Sequence, residues 1–254
     1  MYTCAAKVDI GMSENHNDDR MLLGNNLIDS GTVTKRIEAD PLLAAVCDGV
    51  GGRARGYAAA EITLRVLAVL NRTGVGEDTL RDAIEEANRR VRAYQQEENI
   101  PNGARTTLAG AYAEGNGLYV FHAGDSRVYR FRHKYVMQLT KDHSYVQDMI
   151  DLGELTAEQA KTHPKRNLIN KCVGHEETVN PKISYLEDDF EEQDILMLCS
   201  DGISDVLSNR EIGNIILEHK EDATLDACCE EIYQRAISNG SLDNLSVMLV
   251  RKDG

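Results

Sequence analysis

The chain has 254 residues, of which 42 are acidic and 28 basic, so its formal net charge is −14. This excess of acid argues against nucleic acid and anionic membranes as general partners, because a phosphate-binding surface needs a cationic footprint. The length suffices for one large domain or two small ones, with a sizeable core, and the acidity is compatible with a site that collects cations.

Cysteine usage and the N-terminus indicate a reducing, cytoplasmic location. The six cysteines are scattered, with no C-x-x-C pair and no clustered histidines, which argues against a zinc site and a disulfide framework. The first residues lack a basic region followed by an apolar core, so we expect no signal peptide. No apolar run approaches the ~18 residues of a membrane span.

The N-terminal part of the chain is predicted to consist of short strands and turns. Weak alternation predicts a strand over residues 4–11, and a second short strand follows over residues 21–23. Between them lie the adjacent carboxylates of Asp18 and Asp19, in a polar turn. Residues 26–40 are expected to form a loop or a hairpin.

The apolar run over residues 41–47 ends on Asp48 and the turn sequence GVGG. This pattern predicts a buried strand that delivers Asp48 to a tight turn. Helical periodicity follows over residues 54–71 and 78–98. A carboxylate among glycines, between a strand and a helix, indicates a site for a charged ligand.

Three interpretations of this turn compete. Residues 49–54, GVGGRA, match the dinucleotide fingerprint G-x-G-x-x-A, but Asp48 would repel a pyrophosphate and the second acidic strand end is missing. A carboxylate beside glycines suits a hard divalent cation, which takes oxygen ligands from side chains and backbone carbonyls. Alternatively, Asp48 only caps the following helix. The motif alone does not decide between the last two interpretations.

From residue 106 the period becomes that of strands. Short apolar runs separated by glycine-containing turns predict an antiparallel meander over residues 106–113, 118–123, 128–131 and 135–139. One of its turns carries another lone carboxylate, Asp125.

Residues 141–180 are polar and irregular, with short helical patterns at 144–152 and 156–161. This segment is too long for an inert connection, so we expect a functional flap. The chain then repeats its earlier arrangement, with a strand over 194–199 that ends at Asp201-Gly202, helices at 209–219 and 222–238, and Asp243 before a strand over 245–251.

The order of these elements predicts the fold class. Strands come in runs rather than in strict alternation with helices, which favours an α+β fold of packed antiparallel sheets flanked by helices. No linker rich in Pro, Gly or Ser and no internal repeat divides the chain. We therefore expect residues 1–254 to form a single domain.

Five aspartates lie at or beside predicted strand ends, which could bring them to one edge of the sheets: Asp19, Asp48, Asp125, Asp201 and Asp243. Oxygen ligands without clustered His or Cys suit Mg²⁺ or Mn²⁺ rather than zinc. Carboxylates that share two such ions would activate water for in-line attack at phosphorus.

An ordered series of motifs resembles the metal-dependent serine/threonine protein phosphatases of type 2C, in their compact bacterial form. The series covers nearly the whole chain: NDD at 17–19, VCDGVGG at 46–52, TTL at 106–108, GDSRVY at 124–129, LTKDHS at 139–144, LGELT at 152–156 with HP at 163–164, LCSDG at 198–202 and DNLS at 243–246. Each motif alone is weak, whereas their ordered co-occurrence is specific.

The resemblance implies a four-layer α-β-β-α sandwich with two packed antiparallel sheets. It implies that Asp48 bridges two Mn²⁺ or Mg²⁺ ions, that the Gly49 carbonyl binds the second, and that Asp201 and Asp243 complete the first shell. These three aspartates would be the catalytic residues. Asp19, with Asp18 as a further candidate, would hold metal-bound waters. Asp125 with Asp201 would offer a third, weaker metal site.

Three positions depart from the family's pattern. Glu14 stands where the family commonly has an Arg that grips the substrate phosphate, and Arg20, Arg53 and Arg55 are nearby in sequence. Val50 stands where many eukaryotic members have a His, and Arg105 where a Gly is usual, which could crowd that strand. For His143 and His163, which lie in family-like segments, a structural role is as compatible with the sequence as a functional one.

Two functions follow as hypotheses. The first is hydrolysis of phosphoserine and phosphothreonine in phosphoproteins by a metal-activated water, in signalling that opposes a serine/threonine kinase. The alternative is a metal-binding regulatory or interaction module with weak or lost phosphatase activity, motivated by Glu14. We favour the first because every expected metal aspartate is present. A cytoplasmic monomer without nucleic-acid or membrane partners is expected.

Overall fold

A computed structural model of the chain describes residues 1–12, 16–38, 40–50, 55–100, 103–187, 189–219 and 224–254. The first half contains β1 (Tyr2–Asp9), β2 (Arg20–Leu23), β3 (Asn26–Ile28), β4 (Gly31–Ile37), β5 (Leu42–Cys47), β6 (Gly49–Val50), α1 (Gly56–Ala68), α2 (Glu77–Glu97), β7 (Arg105–Thr106), β8 (Leu108–Glu114) and β9 (Gly117–Ala123). The second half contains β10 (Arg127–Arg132), β11 (Tyr135–Gln138), α3 (Tyr145–Asp151), α4 (Ala157–Lys161), β12 (Lys182–Leu186), β13 (Ile195–Cys199), α5 (Asp201–Ser204), α6 (Asn209–Glu218), α7 (Leu225–Ser238) and β14 (Leu245–Lys252).

The strands form two six-stranded antiparallel sheets. The first sheet has the order β11-β10-β13-β14-β1-β4, and the second has the order β12-β9-β8-β5-β2-β3. The two-residue strands β6 and β7 pair separately, with Gly49 opposite Thr106 and Val50 opposite Arg105. Arg105 therefore pairs in this short ladder.

The central strands are buried on both faces, which explains their unbroken apolar sequences. In β5, Leu42, Ala44 and Val46 face the other sheet. The alternate residues of the same strand, such as Leu43 and Ala45, pack with α1 and α2 instead. Strand β13 divides in the same way between the inter-sheet core and the core under α5, α6 and α7.

Three stacked cores therefore separate four layers. Helices α1 and α2 cover the second sheet, the two sheets face each other, and α5, α6 and α7 cover the first sheet. The predicted α+β class and the α-β-β-α sandwich are confirmed. All six cysteines are buried and none is disulfide-bonded. Among the described helices, none combines the length and apolar character that spanning a bilayer requires.

Two predictions about strand pairing were wrong. The expected meander is two hairpins in different sheets: β8 pairs with β9 in the second sheet, and β10 pairs with β11 in the first. Residues 26–37 are not a loop or one hairpin either, because β3 pairs with β2 whereas β4 pairs with β1 in the other sheet. Local periodicity indicates a strand but carries no information about its neighbour, so these errors share one cause.

The two short helices predicted within residues 141–180 are present, and their starts are capped. Ser144 caps α3 by accepting a hydrogen bond from the backbone N–H of Gln147. Thr156 and Gln159 form a reciprocal capping box at the start of α4. Strand β12, which follows this segment, was not predicted, because its short sequence is only partly apolar.

Candidate metal centre

The antiparallel register brings the predicted aspartates to one edge of the two sheets. In the second sheet, Asp19 directly precedes Arg20, which pairs with Cys47, so Asp19 lies beside Asp48. In the first sheet, β13 ends where β14 begins, since Cys199 pairs with Val247. Asp201, just after β13, and Asp243, just before β14, are therefore neighbours.

Asp125 joins the group from a turn that crosses between the sheets. It follows β9 of the second sheet and precedes β10 of the first. Gly124, just before it, has φ 120°, a conformation that favours glycine, and a Cβ there would lie 2.7 Å from the Cβ of Thr107. The structure thus brings all five predicted aspartates together.

The negative charges of these carboxylates raise the pKa values of their neighbours. Burial raises the pKa of Asp48 well above its usual range, and the charges of Asp19, Asp201, Asp243 and Asp125 raise it further. The pKa of Asp201 is also raised well above its usual range, by burial and then by Asp125 and Asp243, although its carboxyl lies within hydrogen-bonding reach of Asp48. Such a cluster needs protons or cations to offset its repulsion.

Asp19 is the most enclosed member. Its side chain is fully buried, and burial raises its pKa to about 7 despite the hydrogen bond with Ser200. The Ser200 hydroxyl donates to Asp19 Oδ2 at 2.7 Å. Burial and the neighbouring Asp142 likewise raise the pKa of Asp125 to about 7.

The residues fit a hard divalent cation. Asp19 Oδ1 and Asp201 Oδ1 are buried and have no hydrogen-bond partner among the described residues. Oxygen is the ligand that Mn²⁺ and Mg²⁺ favour, and an orphaned buried carboxylate oxygen is costly unless a cation or proton satisfies it.

The carboxylates are neighbours but do not converge on one point. In the described part of the chain, no three His, Cys, Asp or Glu side chains form a ready metal-holding group. Coulombic repulsion extends well beyond the ~2 Å of a metal–oxygen bond, so the raised pKa values and this finding are consistent. Completing a coordination shell would need small side-chain movements or further oxygen ligands.

Main-chain bonds hold the Asp48 turn in place. The Asp48 N–H donates to Thr107 Oγ1 at 3.0 Å, and the Asp48 carbonyl accepts from the Thr107 N–H at 2.8 Å and from Thr106 Oγ1 at 2.9 Å. Gly49 lies against the backbone of Gly56 at the start of α1, where a Cβ would also come within 2.8 Å of the Asp18 Cβ. Close backbone packing therefore requires the first glycine after Asp48.

Asp48 is not a helix cap. The N-cap of α1 is Arg55, which makes no side-chain cap bond. Asp18 instead accepts a hydrogen bond from the Tyr57 N–H in the first turn, at 3.0 Å. That interpretation of Asp48 is wrong, and Asp18 has a structural role beside any contact with the site.

Several supporting residues were not assigned a role from the sequence. The Asn244 side chain stabilises the loop before β2 through three hydrogen bonds. It accepts from the Asp18 N–H at 2.7 Å and donates to the carbonyls of Ile10 and His16. Thr107 Oγ1 lies 2.6 Å from Ser126 Oγ. These contacts join residues far apart in sequence, so only their place in the family-like motifs could have pointed to them.

The arginines near the site are mostly engaged elsewhere. Arg127 forms a two-point ion pair with Asp142, with Nη2 2.6 Å from Oδ2. Arg20 donates to two backbone carbonyls, and Arg55 pairs with Glu98 on the surface. Arg105 Nε is buried without a hydrogen-bond partner among the described residues. Glu14 and Arg53 lie outside the described residues.

Comparison with known proteins agrees with this geometry. Residues 24–245 match the family model described as Protein phosphatase 2C. The serine/threonine phosphatase Stp of Listeria monocytogenes is 31% identical over 255 residues, which cover 97% of this chain and 94% of the relative. A solved serine/threonine phosphatase of S. agalactiae superposes with a TM-score of 0.86 at 29% identity, over the whole of both chains. The catalytic domain of the phosphatase PstP, solved in complex with two manganese ions, superposes with a TM-score of 0.81 at 27% identity, again over both whole chains. The chain belongs to the protein phosphatase 2C family.

Proposed function

We propose that this protein removes phosphate from phosphoserine and phosphothreonine in protein substrates, using divalent cations held at the aspartate edge. The observation that carries the proposal is the carboxylate cluster contributed by both sheets, with buried, unsatisfied oxygens on Asp19 and Asp201. Its position at the common edge of the sheets in a protein phosphatase 2C supports the assignment.

Each aspartate has a distinct proposed task. Asp48 would bridge the two ions; its place beside Asp19 of its own sheet and the effect of Asp201 of the facing sheet on its pKa support this task. The Gly49 carbonyl would bind the second ion, and Asp201 with Asp243 would complete the shell of the first. When bound, the cations would polarise the phosphate and supply a water-derived nucleophile at neutral pH.

The remaining residues position this edge. Asp19 would hold water within the shell, oriented by the hydroxyl of Ser200. Asp125 with Asp201 would form a third, weaker site, and Thr107 holds the Asp48 turn in register. Mn²⁺ and Mg²⁺ both suit oxygen ligands, and the manganese complex of PstP supports Mn²⁺ as the first ion to test.

A phosphopeptide assay with Mn²⁺ tests the proposal. We expect phosphate release that stops on chelation and falls at least about 100-fold in Asp48→Asn, because the bridging charge is lost. Asp82→Asn, on the exposed face of α2, is the matched control and should retain full activity. Undiminished turnover by Asp48→Asn, or turnover that resists chelation, would refute the assignment.

The comparisons do not favour the alternative of a metal-binding module without catalysis, since relatives that match over nearly their full length are named phosphatases. We also propose phosphoproteins as substrates, in signalling opposite a serine/threonine kinase, and a cytoplasmic monomer without nucleic-acid or membrane partners. The net charge of −14 supports the last point. Light scattering would test the monomer.

We further propose that residues 1–254 act as one catalytic domain, with residues 141–180 as a flap over the metal edge. The capped helices α3 and α4 and the contacts at the base of this segment support the flap. Deleting the α3–α4 region should then change KM for protein substrates more than for a small phosphate ester.

A further inference from the structure

His143 lies at the junction of two segments that the proposed mechanism treats separately. On one side, its Nδ1 accepts a hydrogen bond from the Gly124 N–H at 3.2 Å, and its own N–H donates to the Gly124 carbonyl at 2.9 Å. On the other side, its carbonyl accepts from the Asn170 N–H at 2.9 Å. One residue therefore touches both the turn before Asp125 and the base of the flap.

The imidazole must be neutral to make this contact. Burial, together with His122 and Lys171, lowers the pKa of His143 to about 3. Since Nδ1 accepts the Gly124 N–H, the ring proton must lie on Nε2. The ring stacks on His122, with centroids 4.5 Å apart and planes within 11°. His122 Nε2 is in turn 2.7 Å from the Lys141 carbonyl, which can only accept.

The Gly124 turn needs such a restraint. With φ 120°, Gly124 lies in a region that L side chains rarely adopt, and glycine is the least restricted residue of all. The Asp125 that follows it carries a carboxylate repelled by its neighbours. Two hydrogen bonds to His143 hold the residue before that carboxylate.

The flap is closed at its base by the residues that flank His143. The Tyr145 N–H donates to the Leu168 carbonyl at 2.8 Å, and Ser144 pairs with Ile169 as an antiparallel bridge. The Asn170 side chain donates to Asp148 in α3. The two limbs of the flap therefore meet at residues 143–145 and 168–170.

We propose that His143 is a positioning residue that sets the Asp125 turn and the base of the flap in one arrangement, so that neither can move alone. The consequence for catalysis rests on the proposed function, in which Asp125 contributes to a third metal site. The coupling itself is a property of the protein without metal and can be measured there.

The test is hydrogen exchange in the metal-free protein, followed by mass spectrometry, for three variants. His143→Phe keeps the ring stack but removes the acceptor, whereas His143→Asn places an amide oxygen close to the position of Nδ1. We expect His143→Phe to exchange roughly tenfold faster both at residues 122–128 and at residues 166–171, as loss of one hydrogen bond implies. His143→Asn should restore most of the protection in both segments. His163→Phe, within the flap, should leave residues 122–128 unchanged.

Kinetics of the same variants add a second readout. With Mn²⁺ present, His143→Phe should need several-fold more metal for half-maximal activity and should raise KM for phosphoproteins, with both effects reversed in His143→Asn. If His143→Phe does not fold, His143→Gln, whose amide lies one bond farther out, replaces it.

Faster exchange in only one of the two segments, or equal exchange in the Phe and Asn variants, would overturn the coupling. Failure of the proposed function would instead show as no phosphatase activity in any variant, with the exchange result intact.

Discussion

Without divalent cations, the buried side chain of Asp19 should destabilise the folded protein increasingly as the pH rises. Asp19 is fully buried, and burial raises its pKa to about 7 in the folded protein. In the unfolded chain an aspartate titrates near 3.9. Between pH 3.9 and about pH 7, Asp19 is protonated in the folded protein and ionised in the unfolded chain. Unfolding therefore releases a proton, and the contribution of Asp19 to stability falls as the pH rises.

The size of the effect follows from this difference in pKa. Three pKa units correspond to an upper limit of about 4 kcal/mol, reached above pH 7, and to about 1.5 kcal/mol of change between pH 5.5 and pH 7. The lowered pKa values of His122 and His143 act in the opposite direction below about pH 6.5. The wild-type curve alone therefore does not isolate Asp19.

The assay is urea unfolding of the wild type and Asp19→Asn, in the presence of a chelator, at about pH 5.5 and pH 7. Asparagine can still accept the hydrogen bond from Ser200 but carries no charge. From pH 5.5 to pH 7, we expect the free energy of unfolding of Asp19→Asn to rise by about 1.5 kcal/mol relative to that of the wild type. Asp82→Asn, an exposed control on α2, should show no such gain.

Adding Mn²⁺ should stabilise the wild type more than Asp19→Asn. A cation at 100 times its Kd stabilises the folded state by about 2.7 kcal/mol, and the wild type should gain more from it than Asp19→Asn. The reasoning is refuted if the metal-free stability difference between the two proteins is independent of pH, or if Mn²⁺ stabilises both equally.

Three further substitutions distinguish residues that stabilise the fold from residues that support the site. Lys252→Met removes the three hydrogen bonds that its Nζ donates at the far end of β14, to the carbonyls of Gly115 and the buried Phe190 and to the Asn116 side chain, so urea unfolding should show a loss of about 1–3 kcal/mol with phosphatase activity retained. Gly202→Ala forces a Cβ into a backbone carbonyl and should cost at least 1–3 kcal/mol in unfolding free energy, whereas Gly76→Ala, with open space around it, should cost less than ~1 kcal/mol. Thr107→Val deletes the acceptor of the Asp48 N–H and should lower kcat at least about tenfold with a stability loss of only ~1–2 kcal/mol, and an unchanged kcat would contradict the role given to this threonine.

The helices were predictable to within a few residues because their signals are local. The start of α4 has its capping box, and the buried face of α2 recurs every three or four residues. Sheet membership was not predictable in this way. Strand β4 pairs with β1 and leaves β3 in the other sheet, and no property of residues 26–37 specifies that choice.

The aspartates were recognisable because a lone carboxylate that ends an apolar strand is unusual, and this pattern recurs at Asp48 and Asp201. Their supports were not recognisable from local sequence. Ser200 reaches Asp19 across 181 residues of chain, and Asn244 reaches Asp18 across 226. Such contacts depend on how the two sheets pack against each other, and the sequence pattern does not specify this packing.

The division of the aspartates between the sheets links the active edge to the interior of the sandwich. Asp19 and Asp48 lie beside strands of one sheet, and Asp201 and Asp243 beside strands of the other, so a cation held by both pairs would link the two sheets across the inter-sheet core. Any sliding of one sheet over the other changes the distance between its ligands. If the aspartates hold the proposed cations, buried apolar residues such as Val46 and Leu198 in that core should therefore help to determine metal affinity. We expect conservative substitutions there to alter the cation requirement, even though they leave every proposed ligand in place.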